Sequence, residues 1–364
     1  MKNCLSVFVL CLSFAFPACV AANDTAALVA VGGIQFKREP RISMEKERLF
    51  ISERKVTVDY DFLNESDEDI TTEIAFPIPP FDCSGYCGGL IISDFHVWVD
   101  GMEVRYEREA KAMVNGRDYA EKLKKFGIDI ASFGHIDLDG NFEISKGYQI
   151  AHLPQQDVKH LAELGLIDEQ SLMPLWTVKE TYHWNQTFPA RRTIHIRHEY
   201  PPAVGHNHVN TEDLDPDTRK DNVAVALARE KGSPGSDSDE VYLYMAKEVD
   251  NLCVDPSLAR KIRAEEAEKI ERLYKETLKP EDVGTRPVAV VWVEYILSTA
   301  NSWKTPIKDF TLVVERPSGE GQQKSYVSFC WDGPVRRVDE DHFEAHKANF
   351  VPRKELNVAF LFAE

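Results

Sequence analysis

The sequence predicts a mainly β fold with α insertions: an antiparallel β-sandwich-like core with helical excursions near 107–169 and 255–280. Three observations carry this. Short runs alternate apolar and polar residues, the period of a half-buried strand. Proline and glycine punctuate those runs where a ladder or hairpin must stop. In two stretches the period lengthens toward that of a helix, with end signals in place.

Asn23 to Gly33 is small and apolar and begins the fold. Val56, Val58, Tyr60 and Phe62 then alternate with Thr57, Asp59 and Asp61. After a polar turn at Asn64 to Asp69, Ile70, Thr72, Ile74 and Phe76 resume the pattern, so the two runs read as a hairpin ended by Pro77-Ile78-Pro79-Pro80. Phe95, Val97 and Val99 lead into Asp100-Gly101, a strong turn signal, and Met102, Val104 and Tyr106 form the return strand. Ala110 to Phe126 is rich in Lys, Glu, Arg and Ala, and Gly127 would cap a helix there. Gln155 to Leu164 reads as another helix ending at Gly165.

Strands return at Leu175 to Trp184 and Arg192 to Tyr200. His206 to Asp239 reads as a polar loop, and Val241 to Met245 as a strand. Asp255-Pro256 opens the clearest helix. Asp255 can accept N–H bonds as N-cap, and proline suits the first helical position. Leu258, Ile262, Ile270, Leu273 and Leu278 supply its apolar stripe, and Pro280 ends it. Val288 to Leu297 is apolar on both faces, as in a central strand, and Phe310 to Val314, Ser325 to Trp331 and Leu356 to Phe362 follow. Residues 23–364 are thus expected to form one composite β-sandwich unit: strands 50–106, helical insertion 107–169, strands 175–202, polar loop 206–239, helix 255–280 and C-terminal strands 288–364.

The first 22 residues read differently. Lys2 supplies a positive charge, an apolar stretch runs from Cys4 to Cys19, and Val20-Ala21-Ala22 offers small residues for a peptidase. This is the pattern of a secretory signal peptide over residues 1–22, so the expected location is periplasmic or extracellular. No later segment is long and apolar enough to span a membrane. Of the seven cysteines, Cys83, Cys87, Cys253 and Cys330 remain after cleavage. An even set in an exported chain suggests disulfides, and the simplest pairing is Cys83 with Cys87 and Cys253 with Cys330. A net charge of −17 argues against nucleic acid and anionic lipid as partners.

Several stretches in fixed order resemble a known family. They include Val56-Thr-Val-Asp-Tyr-Asp-Phe62, Ala75-Phe-Pro-Ile-Pro79, Phe188-Pro-Ala-Arg191 and His198-Glu-Tyr-Pro-Pro202 with Gly205. Tyr295-Ile-Leu-Ser-Thr-Ala-Asn-Ser-Trp303 and Phe329-Cys-Trp-Asp-Gly333 complete the set. Together they resemble the uncharacterised bacterial secreted family called domain of unknown function 4424, over nearly the whole mature chain. The resemblance implies a bacterial envelope protein and brings no catalytic residues with it.

The candidates for chemistry are few. His206 and His208, two apart, would point the same way on a strand and could bind a divalent metal, although a solvated loop explains them as well. His195, Arg197 and Glu199 share one strand face and read as an ion-pair row. Asp137 to Asn141 and Asp213, Asp215, Asp217 and Asp221 are oxygen-rich but miss the calcium-loop frame, which makes surface turns the better reading. In a helix His342 and His346 would share a face, but a hairpin turn explains their segment too. Trp176, Tyr182, Trp184, Trp292, Tyr295 and Trp303 fall in or beside strands and read as core. No nucleophile elbow, P-loop, His-Glu-x-x-His or dinucleotide fingerprint is present. The sequence therefore leans toward a non-enzymatic binding or structural module, without a cofactor, for an unknown envelope protein or small ligand. The alternative is a secreted hydrolase assisted by a metal on His206 and His208.

Overall fold

Alternating strands must bury one face each, and among the described residues they do so in three sheets. The computed structural model describes residues 25–30, 33–82, 94–130, 148–202, 204–232, 242–243, 246–247, 249–276, 287–318 and 324–363. Residues 1–22, Cys83, Cys87 and Asp137 to Asn141 lie outside them.

The chain opens with β1 (Thr25–Ala30), β2 (Gly33–Phe36), β3 (Ile42–Ile51), β4 (Val56–Asn64), β5 (Ile70–Pro77), β6 (Phe81–Asp82), β7 (His96–Val99) and β8 (Met102–Glu103). An insertion follows, with β9 (Glu107–Val114), β10 (Arg117–Asp118), α1 (Ala120–Lys125), α2 (Tyr148–Ala151) and α3 (Gln155–Glu163). Next come β11 (Thr177–Phe188), β12 (Thr193–Tyr200), β13 (Val204–Val209), α4 (Pro216–Gly232) and α5 (Pro256–Glu276). The last strands are β14 (Val288–Tyr295), β15 (Ile307–Glu315), β16 (Lys324–Phe329), β17 (Val335–Arg337), β18 (His342–Phe350) and β19 (Leu356–Ala363).

An eight-stranded sheet runs β17-β18-β15-β3-β4-β12-β7-β8, with β15 and β3 parallel. A seven-stranded sheet runs β10-β9-β11-β5-β1-β2, with β6 beside β11. A four-stranded sheet runs β13-β14-β19-β16. One apolar core joins all three. Tyr60, Phe62 and Phe310 come from the eight-stranded sheet, Phe76, Trp184 and Phe188 from the seven-stranded sheet, and Tyr295 and Phe360 from the four-stranded sheet. The eight-stranded sheet thus packs its inner face against both others. Its outer face carries Asp59, Asp61, His195 and Arg197, beside Phe50, Trp98 and Val313. The fold is a β-sandwich-like core with α insertions.

A second cluster, with Trp176, Val178, Ala112, Leu123 and Leu161, extends the seven-stranded sheet under α1 and α3. Where it meets the main core, Arg108 is paired with the fully buried carboxylate of Glu180. Burial pushes the Glu180 pKa up, against the pull of Arg108.

Several expectations need correction. β4 and β5 do not pair as a hairpin: β4 lies between β3 and β12, and β5 between β11 and β1. Asn64 turns the chain by donating to the carbonyls of Glu68 and Phe188, both at 2.8 Å. The apolar faces of the two strands then meet across the sandwich. The insertion near 107–169 does carry helices, but it opens as the β9–β10 hairpin, not as a helix over 110–126. Asn115-Gly116 takes φ of 48° and 77°, the same doubly left-handed turn as Asp100-Gly101 at 49° and 81°. The return strand after Asp100-Gly101 is only Met102–Glu103. Within the presumed polar loop 206–239 lie edge strand β13 and helix α4. Tyr242 and Leu243 are helical, not a strand.

Candidate functional site

The outer face of the four-stranded sheet packs against α5 and against Val249 and Leu252 just before it, and α4 is tied to this layer through Arg219 and Asp250. Both helices start on the same pair of residues. Asp215 accepts the N–H groups of Asp217 and Thr218, each at 3.1 Å, and Pro216 follows it. Asp255 accepts the N–H of Ser257 at 2.7 Å, with Pro256 next. The acceptor oxygen satisfies donors that the first helical turn leaves open, and it is held ionised: backbone and side-chain hydrogen bonds keep both carboxyls below the usual range.

Directional contacts anchor this helical layer. Arg219, largely buried, reaches Asp250 at 2.6 Å and the carbonyl of Asp213 at 2.5 Å. The Asp213 carboxylate accepts from Tyr242 at 2.8 Å and Asn222 at 3.3 Å. A disulfide joins Cys253, before α5, to Cys330, after β16, with Cα atoms 5.2 Å apart. Cys253 sits at φ 50°, and Ser328 donates to its carbonyl at 2.8 Å. This is the long-range bridge that the cysteine spacing suggests.

α5 buries its stripe unevenly. Ala259 and Ile262 are sealed against the sheet, whereas Ile270 and Leu273 are only half-buried. The gap beside them, over Val288 and Ala363 at the strand ends, is a groove of about 260 Å³. Ile262, Ile270 and Leu273 give it an apolar floor, and Glu265, Glu266, Glu268, Lys269, Arg272 and Lys324 give it a charged rim.

Two of the rim carboxylates are already engaged. Glu265 pairs with Lys324 at 2.7 Å and accepts the Tyr326 hydroxyl. Partial burial opposes its ionisation, but those hydrogen bonds outweigh it and lower its pKa. Burial, reinforced by Glu265, pushes the Tyr326 hydroxyl up to about 12. Thr211 donates to Glu266. A floor for an apolar body and a rim with oriented charge are what a small-ligand site needs.

The histidine candidates lie elsewhere. His206 and His208 share a face of edge strand β13, opposite Val291 and Ala289, with ring centroids 5.7 Å apart. They are on a strand, not a solvated loop, because β13 docks closely on β14. A Cβ added at Gly205 would stand 1.9 Å from the Trp292 ring. Partial desolvation and the nearby His208 lower the His206 pKa. Among the described residues no group of three or more His, Cys, Asp or Glu side chains gathers that could hold a metal.

His195 bonds Asp61 at 2.9 Å and Arg197 bonds Asp59 at 3.2 Å on the outer face of the eight-stranded sheet. His342 and His346 fall on one strand, β18, but pair with different carboxylates, Asp339 at 2.8 Å and Asp309 at 2.7 Å. Asp213 and Asp215 anchor and cap α4, as above. Trp176, Tyr182, Trp184, Tyr295 and Trp303 are buried, and Trp292 is half-buried over Gly205. The groove itself escaped the sequence reading. The α5 stripe was visible, but its loss of cover at Ile270 and Leu273 was not.

A family model described as domain of unknown function (DUF4424) matches residues 22–359. No curated protein matches the chain. A solved structure from Legionella pneumophila, described as a "putative nutrient binding protein", is 12% identical, covering 93% of this chain and 70% of its own, with a TM-score of 0.38. At that similarity nothing passes from that protein to this one.

Proposed function

The chain belongs to the family described as domain of unknown function (DUF4424), and from that premise we propose that it is an exported, non-enzymatic binding module for a small ligand. The observation that carries this reading is the groove of about 260 Å³ between α5 and the end of the four-stranded sheet. Its size is just below the range of about 300–1,000 Å³ usual for small-molecule sites. Export is supported by the leader-like residues 1–22 and by the Cys253–Cys330 bridge, since such bridges persist in oxidising compartments.

The test is a thermal-shift and amide-NMR screen of the mature chain against mixed small metabolites, run beside a Leu273→Trp variant that fills the groove. A binding compound should raise the melting temperature by several degrees at saturating concentration. It should shift α5 amide signals and have no effect on Leu273→Trp. A screen in which no compound moves α5, or in which Leu273→Trp binds as well as the parent, sinks the reading.

A further inference from the structure

We infer that the groove takes a small organic carboxylate with an apolar body, an assignment that rests on the groove being the ligand site. The rim's charges are unequal in availability. Glu265 is committed to Lys324 and Tyr326, and Glu266 is held by Thr211. Lys269 and Arg272, one helical turn apart on α5, have no ion-pair partner among the described residues. Lys269 is half-buried and Arg272 is exposed beside it. They are the rim cations that remain once Lys324 is committed to Glu265.

An incoming carboxylate supplies what both lack. The Arg272 guanidinium offers a planar fork that matches two carboxylate oxygens, and Lys269 adds a point charge beside it. Ile262, Ile270 and Leu273 would take the apolar body, and about 260 Å³ limits it to a small one. An amine of the same shape would meet like charges at Lys269 and Arg272, and would have to compete for Glu266, already accepting from Thr211, and the exposed Glu268. An inorganic anion would leave the apolar floor uncovered.

Calorimetry and amide NMR of the mature chain with isocaproate, isohexanol, isohexylamine and inorganic phosphate test this. Isocaproate should bind tightest and shift α5 signals, with the other three weaker by about tenfold or more, the worth of a hydrogen bond to a charged group. Lys269→Met with Arg272→Met should weaken isocaproate by a similar factor, and added salt should weaken it further. Leu273→Trp, or Ile270→Trp should the first fail to fold, should abolish it. If isohexanol, isohexylamine or phosphate binds as tightly as isocaproate, or if isocaproate ignores the double substitution, the carboxylate assignment falls. The groove reading survives that result provided Leu273→Trp still blocks what binds. If none of the four binds, the assignment falls too, and a negative metabolite screen alongside removes the groove reading with it.

Discussion

The two faces of the four-stranded sheet are built on different physics. Its inner face gives Val293, Tyr295, Val358 and Phe360 to the sandwich core, where rings and branched side chains meet in every direction. The Tyr60 and Tyr295 hydroxyls bond at 3.0 Å across that core. Its outer face offers Val288, Val290, Ala359 and Leu361 to a helical layer. That layer depends in addition on a disulfide, on Arg219 with Asp250, and on the bonds around Asp213. Non-directional burial fills space and closes a core. A layer pinned at separate points can stay tight at one end of α5 and open at the other, and the groove is at the open end.

The largest expected effect tests the sandwich core that the inner face joins. His198 is fully buried among Tyr60, Phe76, Phe95 and Trp184, and burial depresses its pKa to about 3. The unfolded chain takes up a proton near pH 6.5 and the folded chain does not. The contribution is therefore present above pH 6.5 and is lost as pH falls toward about 3, an order of 5 kcal/mol. Denaturant titrations of the parent and of His198→Leu should show a flatter acid limb in the variant, and identical limbs would refute a neutral buried imidazole.

A middle-sized effect tests the outer side. Cys253→Ser with Cys330→Ser should cost about 2–4 kcal/mol. The loss should be local: hydrogen exchange should quicken in α4 and α5 and leave β4 and β12 protected. Equal loosening of the sandwich would erase the contrast between the faces. The smallest effect sharpens it. Asp215→Ala and Asp255→Ala should each lower the denaturation midpoint slightly, because each removes one N-cap.

Those caps also show what was legible in the sequence. Asp255-Pro256 is followed by a clear apolar stripe, and the helix was found within a few residues of its ends. Asp215-Pro216 carries the same start signal. Val225 and Leu227 lie exposed on α4, so no clean stripe confirmed the helix. Asn115-Gly116 carries a hairpin signal like that of Asp100-Gly101, inside a stretch whose Lys, Glu and Ala content favours a helix. The groove was half legible: Ile262, Ile270 and Leu273 lie on the predicted stripe, but which of them the sheet would cover depends on strands far along the chain. The spacing of His206 and His208 was read correctly as one that would share a strand face. Its strand was not, because β13 is held by Trp292 over Gly205, a contact between distant segments.

By itself the sequence determined the β-rich class, most strand positions, the Asp100-Gly101 turn, the start of α5 and the cysteines able to pair over a distance. Each depends on alternation, turn chemistry or end signals contained within a few neighbouring residues. Only the tertiary structure decided that β4 and β5 face each other from different sheets, that β3 pairs in parallel with β15, and that α5 leaves a groove beside Val288. Those outcomes depend on which apolar faces find each other, and burial selects its partner without regard to distance along the chain.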